Sequence, residues 1–130
     1  MPNANETDRI KEQIENVYAE ICRSFSKLDL ESVLDYFSEQ KDMVKISNGK
    51  LLRGREELSQ YWHKRLDGVN SLRISIENVE VHIIDENNVW TTADESIVMG
   101  DHPQKAIVSN IFILTNDGWK ILLDHTTYVQ

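Results

Sequence analysis

The sequence predicts one α+β domain, a cone of three N-terminal helices packed on a curved antiparallel sheet with a pocket between the layers. Three observations predict it. Apolar residues recur at helical spacing only in the first half of the chain. From Ser71 onward, segments rich in Val, Ile, Thr and aromatics follow one another without a helical interval. The connections between those segments are too short for crossovers, so they must be antiparallel hairpins. Helices followed by a meander gather on one face of the sheet.

The elements follow in order. Ile10, Ile14, Val17, Ile21, Phe25 and Leu28 recur every three or four residues and form one helical stripe. Asn5 or Thr7 caps that helix, with Glu6 and Asp8 near its positive end. The polar stretch 1–8 is expected to lie outside the ordered domain, which otherwise spans 1–130. Asp29 caps a short second helix with Leu30, Val33, Leu34 and Phe37 as its apolar face. Met43 to Ser47 is a strand, and Asn48-Gly49 supplies the positive φ angles of a tight turn into Leu51-Leu52. Gly54-Arg55-Glu56-Glu57 opens a third helix, with Leu58, Tyr61, Trp62, Arg65 and Leu66 along one side, and Gly68 ends it. Strands are expected over 71–84, 89–99, 105–115 and 119–128.

The last hairpin sets which side chains share a face. With Asp117-Gly118 as its two-residue loop, Phe112 lies opposite Leu123, Asn110 opposite His125 and Val108 opposite Thr127. A four-residue loop, Asp101 to Gln104, brings Glu95 opposite Asn110, and a one-residue slip would exchange Glu95 for Asp94. Glu95, Asn110 and His125 then form a polar row on an apolar face. Such a row needs mutual hydrogen bonds, water or a ligand, because an unpaired buried polar group costs about 1–3 kcal/mol. The opposite face carries Trp90, Ile107, Ile111, Ile113 and Leu122, too apolar to sit in water, and predicts a symmetric homodimer through the back of the sheet.

Composition narrows the partners. The 130 residues carry a net charge of −8 without a basic stripe. The phosphate term that dominates nucleic-acid binding would therefore be repulsive, and the same holds for an anionic membrane. No stretch approaches membrane-spanning length, and Met1 to Asp8 lacks the apolar core of a signal peptide. The single cysteine, Cys22, forms no internal disulfide and suits a reducing cytoplasm, which is the expected location. His63, His82, His102 and His125 lack zinc-ligand spacing, so neither a metal nor another cofactor is expected.

Three passages carry a family resemblance: Leu28-Asp29-Leu30-Glu31-Ser32-Val33-Leu34-Asp35-Tyr36-Phe37, Gly54-Arg55-Glu56-Glu57-Leu58, and Gly118-Trp119-Lys120-Ile121-Leu122-Leu123-Asp124-His125-Thr126-Thr127. With them the chain resembles the cystatin-like, nuclear transport factor 2-like superfamily, in particular SnoaL-like members of the calcium/calmodulin-dependent kinase association-domain type. The resemblance implies a pocket between helices and sheet, and a dimer through the sheet's back. In the family's ketosteroid isomerases the general base aligns near Ser47, the oxyanion-binding acid with Asn110 and the oxyanion tyrosine near Ile21. Serine and isoleucine cannot do that work, so isomerase chemistry of that type is not expected here.

Two functions stay open. The first is a small-molecule pocket, with cofactor-independent isomerase, dehydratase or cyclase activity implied by the resemblance. Its ligand-binding residues are Asn110, His125, Glu95, Thr127, Tyr18 and Trp62. In it His125 and Glu95 are the catalytic candidates, a base with its orienting carboxylate. The same row can instead be structural, holding the hairpins in register. The second function is a non-catalytic dimeric interaction or assembly module, resting on the apolar outer face.

Overall fold

A computed structural model describes residues 3–129. Helix α1 spans Ala4–Ser26, α2 Leu30–Leu34 and α3 Gly54–Arg65; the strands are β1 Val44–Ser47, β2 Lys50–Arg53, β3 Leu72–Asp85, β4 Asn88–Met99, β5 His102–Thr115 and β6 Gly118–Val129. They make a six-stranded sheet in the order β2-β1-β6-β5-β4-β3.

Helix α1 starts earlier than its apolar stripe suggests. Its cap is Asn3, whose side-chain oxygen accepts from the Glu6 N–H at 2.9 Å while its amide donates to the Glu6 carboxylate at 3.0 Å. That reciprocal pair takes the helix out to Ala4, so residues 4–8, expected outside the ordered domain, are helical; Met1 and Pro2 lie outside the described residues. Ile10, Ile14, Tyr18, Ile21 and Phe25 form the buried stripe, with Val17 and Leu28 half-buried beside it. Asp29 caps α2 by accepting from the Ser32 N–H.

Asn48 and Gly49 both adopt positive φ, 47° and 85°, the geometry that closes a two-residue hairpin between β1 and β2. β1 then joins the meander by pairing in parallel with β6, placing Lys45 beside Asp124 and Ser47 beside Thr126. Nothing in the local sequence signals that long-range pairing. The helices cover one face of the sheet, the inner one, and Ile14, Met43, Leu58, Val89 and Phe112 are fully buried between the layers.

The last two hairpins of the meander close at other residues than expected. Met99 pairs with His102, which brings Glu95 opposite Ala106 and Thr91 opposite Asn110. This four-residue shift is even, so Thr91, Ala93, Glu95 and Ile97 keep their expected inner face. Between β5 and β6, Thr115 pairs with Gly118, so the loop is Asn116-Asp117. That shift is even as well. The parity changes one turn later, where β6 carries a bulge: Phe112 faces Ile121 and Ile111 faces Leu123, leaving Leu122 as the extra residue. Beyond it, Asp124 lies opposite Asn110 and Thr126 opposite Val108. Asp124 and Thr126 are buried, and His125 and Thr127 are exposed.

Candidate active-site cavity

The inner face, α1 and α3 enclose a cavity of about 40 Å³. Its wall is mostly apolar and aromatic, with Phe25, Phe37, Trp62 and Ile74 among the lining residues. Six polar groups project from five elements: Tyr18 from α1, Lys45 from β1, Glu95 from β4, Asn110 from β5, and Asp124 and Tyr128 from β6. Each sits at an inner position of its strand or on the buried stripe of its helix, so alternation and helical periodicity aim them together.

Two of the polar clusters are closed. Tyr18 donates its only hydroxyl proton to Asn110 Oδ1 at 2.5 Å, so the contact with Thr91 Oγ1 at 2.6 Å must be a bond donated by Thr91. The Asn110 amide donates in turn to the Leu123 carbonyl at 3.3 Å. Burial pushes the Tyr18 hydroxyl well above its ordinary value and keeps it protonated. The second cluster is ionic. Lys45 Nζ, almost wholly buried, donates to Asp124 Oδ2 at 3.1 Å and to Thr126 Oγ1 at 3.3 Å, and Thr126 donates to Asp124 Oδ1 at 3.0 Å. A buried ion pair survives desolvation only with such extra bonds.

Glu95 is the open group. Among the described residues its carboxylate has no hydrogen-bond partner and no ion pair, although Lys45 and Asp124 line the same cavity. Burial, with the Asp124 charge adding to it, raises its pKa from the ordinary 4.5 to about 7, against the opposing pull of Lys45 and Arg65. The buried indole N–H of Trp62 is likewise without an acceptor among the described residues. Cys22, also in the wall, is pushed up to about 11 by burial and the nearby Glu95, so it holds no thiolate.

The sequence-based candidates therefore divide. Tyr18, Trp62, Glu95 and Asn110 all line the cavity. His125 and Thr127 lie on the outer face, and the expected pairing of His125 with Glu95 does not exist, because the Leu122 bulge turns them outward. Asp94 is exposed, so the choice between it and Glu95 falls to Glu95. Lys45, Asp124, Thr126 and Thr91 were missed. One signal existed for the bulge: the Leu122-Leu123 doublet breaks the alternation, and both residues are half-buried. For Lys45 the signal was its alternation with Met43 and Ser47, which are both buried.

Helices on one face of a six-stranded sheet, with a cavity between, define a nuclear transport factor 2-like α+β domain. The SnoaL-like domain family matches residues 14–129, and the chain belongs to that family. Solved structures of the same architecture include a proposed dehydratase of the family from Streptomyces avermitilis, 20% identical with a TM-score of 0.85, covering 95% of this chain and 99% of that one. A ketosteroid isomerase-like protein from Erwinia carotovora atroseptica is 14% identical with a TM-score of 0.71, covering 92% and 95%. A proposed calcium/calmodulin-dependent protein kinase type II association domain from Thiobacillus denitrificans is 19% identical with a TM-score of 0.75, covering 89% and 94%. At these identities the likeness is one of fold. No curated protein matches the sequence. No helix among the described residues is long and apolar enough to cross a membrane.

Proposed function

We propose that the chain binds a small organic molecule in the cone between helices and sheet, and moves a proton on it through Glu95 without a cofactor. The observation that supports this reading is a carboxyl group facing an apolar cavity with no protein partner, poised near neutral pH where an acid or base transfers protons most effectively. The Tyr18–Asn110 and Lys45–Asp124 clusters would supply fixed dipoles around the reacting atoms. That arrangement suits isomerisation or dehydration beside a carbonyl, and two structural neighbours are described as a proposed dehydratase and a ketosteroid isomerase-like protein. At about 40 Å³ the cavity admits a few waters, each needing about 10–15 Å³. A larger ligand requires the half-buried wall residues Ile74, Ile76 and Tyr128 to move.

The test is hydrogen–deuterium exchange at the carbon beside the carbonyl of small ketone probes, followed by NMR. Exchange above the buffer rate that vanishes in Glu95→Gln supports the reading. Exchange that is equal in both proteins removes Glu95 as the base.

The outer face favours a second reading, a dimeric assembly module in which the cavity is incidental. Trp90 and Ile107 are 42% and 52% exposed there, and Ile111 and Ile113 are half-buried. Exposed apolar residues in one patch mark association surfaces. Light scattering decides it: a monomer at all concentrations eliminates the module.

A further inference from the structure

The proposed ligand site has a neighbour whose charge runs against that of the whole protein. The chain has 22 acidic and 14 basic residues. Yet Lys45, Lys50 and Arg65, from β1, β2 and α3, all lie about one side chain away from the Tyr61 ring, at 6.0, 5.9 and 6.0 Å from its centroid. Lys45 is matched by Asp124. Arg65 and Lys50 form no ion pair among the described residues: Arg65 donates to the Tyr61 hydroxyl at 2.7 Å and to Gln104 at 3.4 Å, both neutral groups.

Arg65 also touches the cavity wall. Its guanidinium packs over the Tyr128 ring at 4.8 Å and the Trp62 ring at 5.5 Å, and both rings line the cavity from inside. The Tyr61 hydroxyl shows the field: burial opposes its ionisation, yet the bond shared with Ser47, the bond from Arg65 and the charges of Arg65 and Lys45 lower its pKa overall. A cationic rim therefore stands immediately behind an aromatic wall, on a protein that is otherwise negative.

We propose that the ligand of the cavity is an organic anion, a short-chain or single-ring carboxylic acid. Its carboxylate meets Arg65 and Lys50 beside Tyr61, outside the wall, and its apolar body enters the cavity past Tyr128, the half-buried wall residue over which Arg65 packs. A guanidinium whose present partners are neutral can take a carboxylate in a two-bond fork, which a neutral amide of the same shape cannot match. The unpartnered Glu95 stays inside the cavity, where the body of the acid would reach it. This inference rests on the reading of the cavity as a small-molecule site.

The experiment is calorimetric titration with benzoate, phenylacetate and butyrate against benzamide, phenylacetamide and butyramide, with butylamine as the cationic control. At low salt the carboxylates are expected to bind at least about tenfold tighter than their amides. The preference should shrink as salt is raised, because Lys50 is exposed and Arg65 half-exposed. Arg65→Gln should remove most of the preference and Arg65→Lys should restore part of it. Lys50 is exposed, so Lys50→Gln leaves the fold intact and should weaken carboxylate binding several-fold even where an Arg65 variant misfolds. Equal binding of acids and amides, or preference for the amine, overturns the anion while leaving the small-molecule site standing. No binding by any probe overturns both.

Discussion

Replacing Glu95 by glutamine should make the protein more stable, and only above a defined pH. The folded protein holds the Glu95 proton up to about pH 7, and the unfolded chain releases it near 4.5. Between those values the unfolded state binds fewer protons, so stability falls as pH rises. The stabilising contribution is complete below about 4.5 and is lost as pH passes 7. At about 1.4 kcal/mol per unit, the gap of roughly 2.5 is worth about 3 kcal/mol at pH 8. A glutamine of nearly the same shape has no charge to desolvate, so the variant should gain about that amount at pH 8 and almost nothing at pH 4.5. With unfolding entropy near 2.1 cal/mol/K per residue, 130 residues turn 3 kcal/mol into a rise of about 10 °C in Tm. Urea or thermal melts of both proteins, taken from pH 4.5 to 8, measure the difference directly. Subtraction cancels the exposed carboxylates Asp29 and Asp85, whose lowered pKa values act in the acid range in both proteins. A difference that stays constant with pH would refute the reasoning, since it would mean that Glu95 ionises alike folded and unfolded.

The ionic cluster makes a separate prediction. Asp124→Asn should cost about 3–5 kcal/mol because it strands a buried Lys45 charge, while the double change Lys45→Met with Asp124→Leu should recover most of the loss; denaturant melts of the double-mutant cycle measure the coupling. His125→Ala, one residue along the strand, should change stability by less than about 0.5 kcal/mol, a contrast that tests the bulge in β6. Tyr18→Phe leaves Asn110 Oδ1 without its donor and should cost about 1–3 kcal/mol in the same melts. Phe112→Ala, at the fully buried centre of β5, should cost about 3–5 kcal/mol by chemical denaturation.

The two positions flanking the β6 bulge show how far local reasoning carries. Alternation along β4 and β5 placed Glu95 and Asn110 on the inner face, and loop errors of two and four residues left that placement intact, because even shifts preserve the faces. One extra residue at Leu122 did not, and it exchanged His125 and Thr127 for Asp124 and Thr126. A bulge is stabilised by what lies on both faces of the strand, so the turn residues alone cannot announce it.

The order of elements, the helical stripe of α1, the Asn48-Gly49 turn and the start of α3 at Gly54 were legible in the residues themselves. Each depends on interactions within a few positions of the chain: backbone φ preference, capping and 3.6-residue periodicity. The site was legible only in part. Glu95, Asn110, Tyr18 and Trp62 could be named, but not the isolation that raises the Glu95 pKa. That isolation, and the capture of Asp124 by Lys45, come from the parallel pairing of β1 with β6 across some eighty residues of chain. Burial and charge pairing are properties of neighbours in space, and tertiary packing alone decides who those neighbours are.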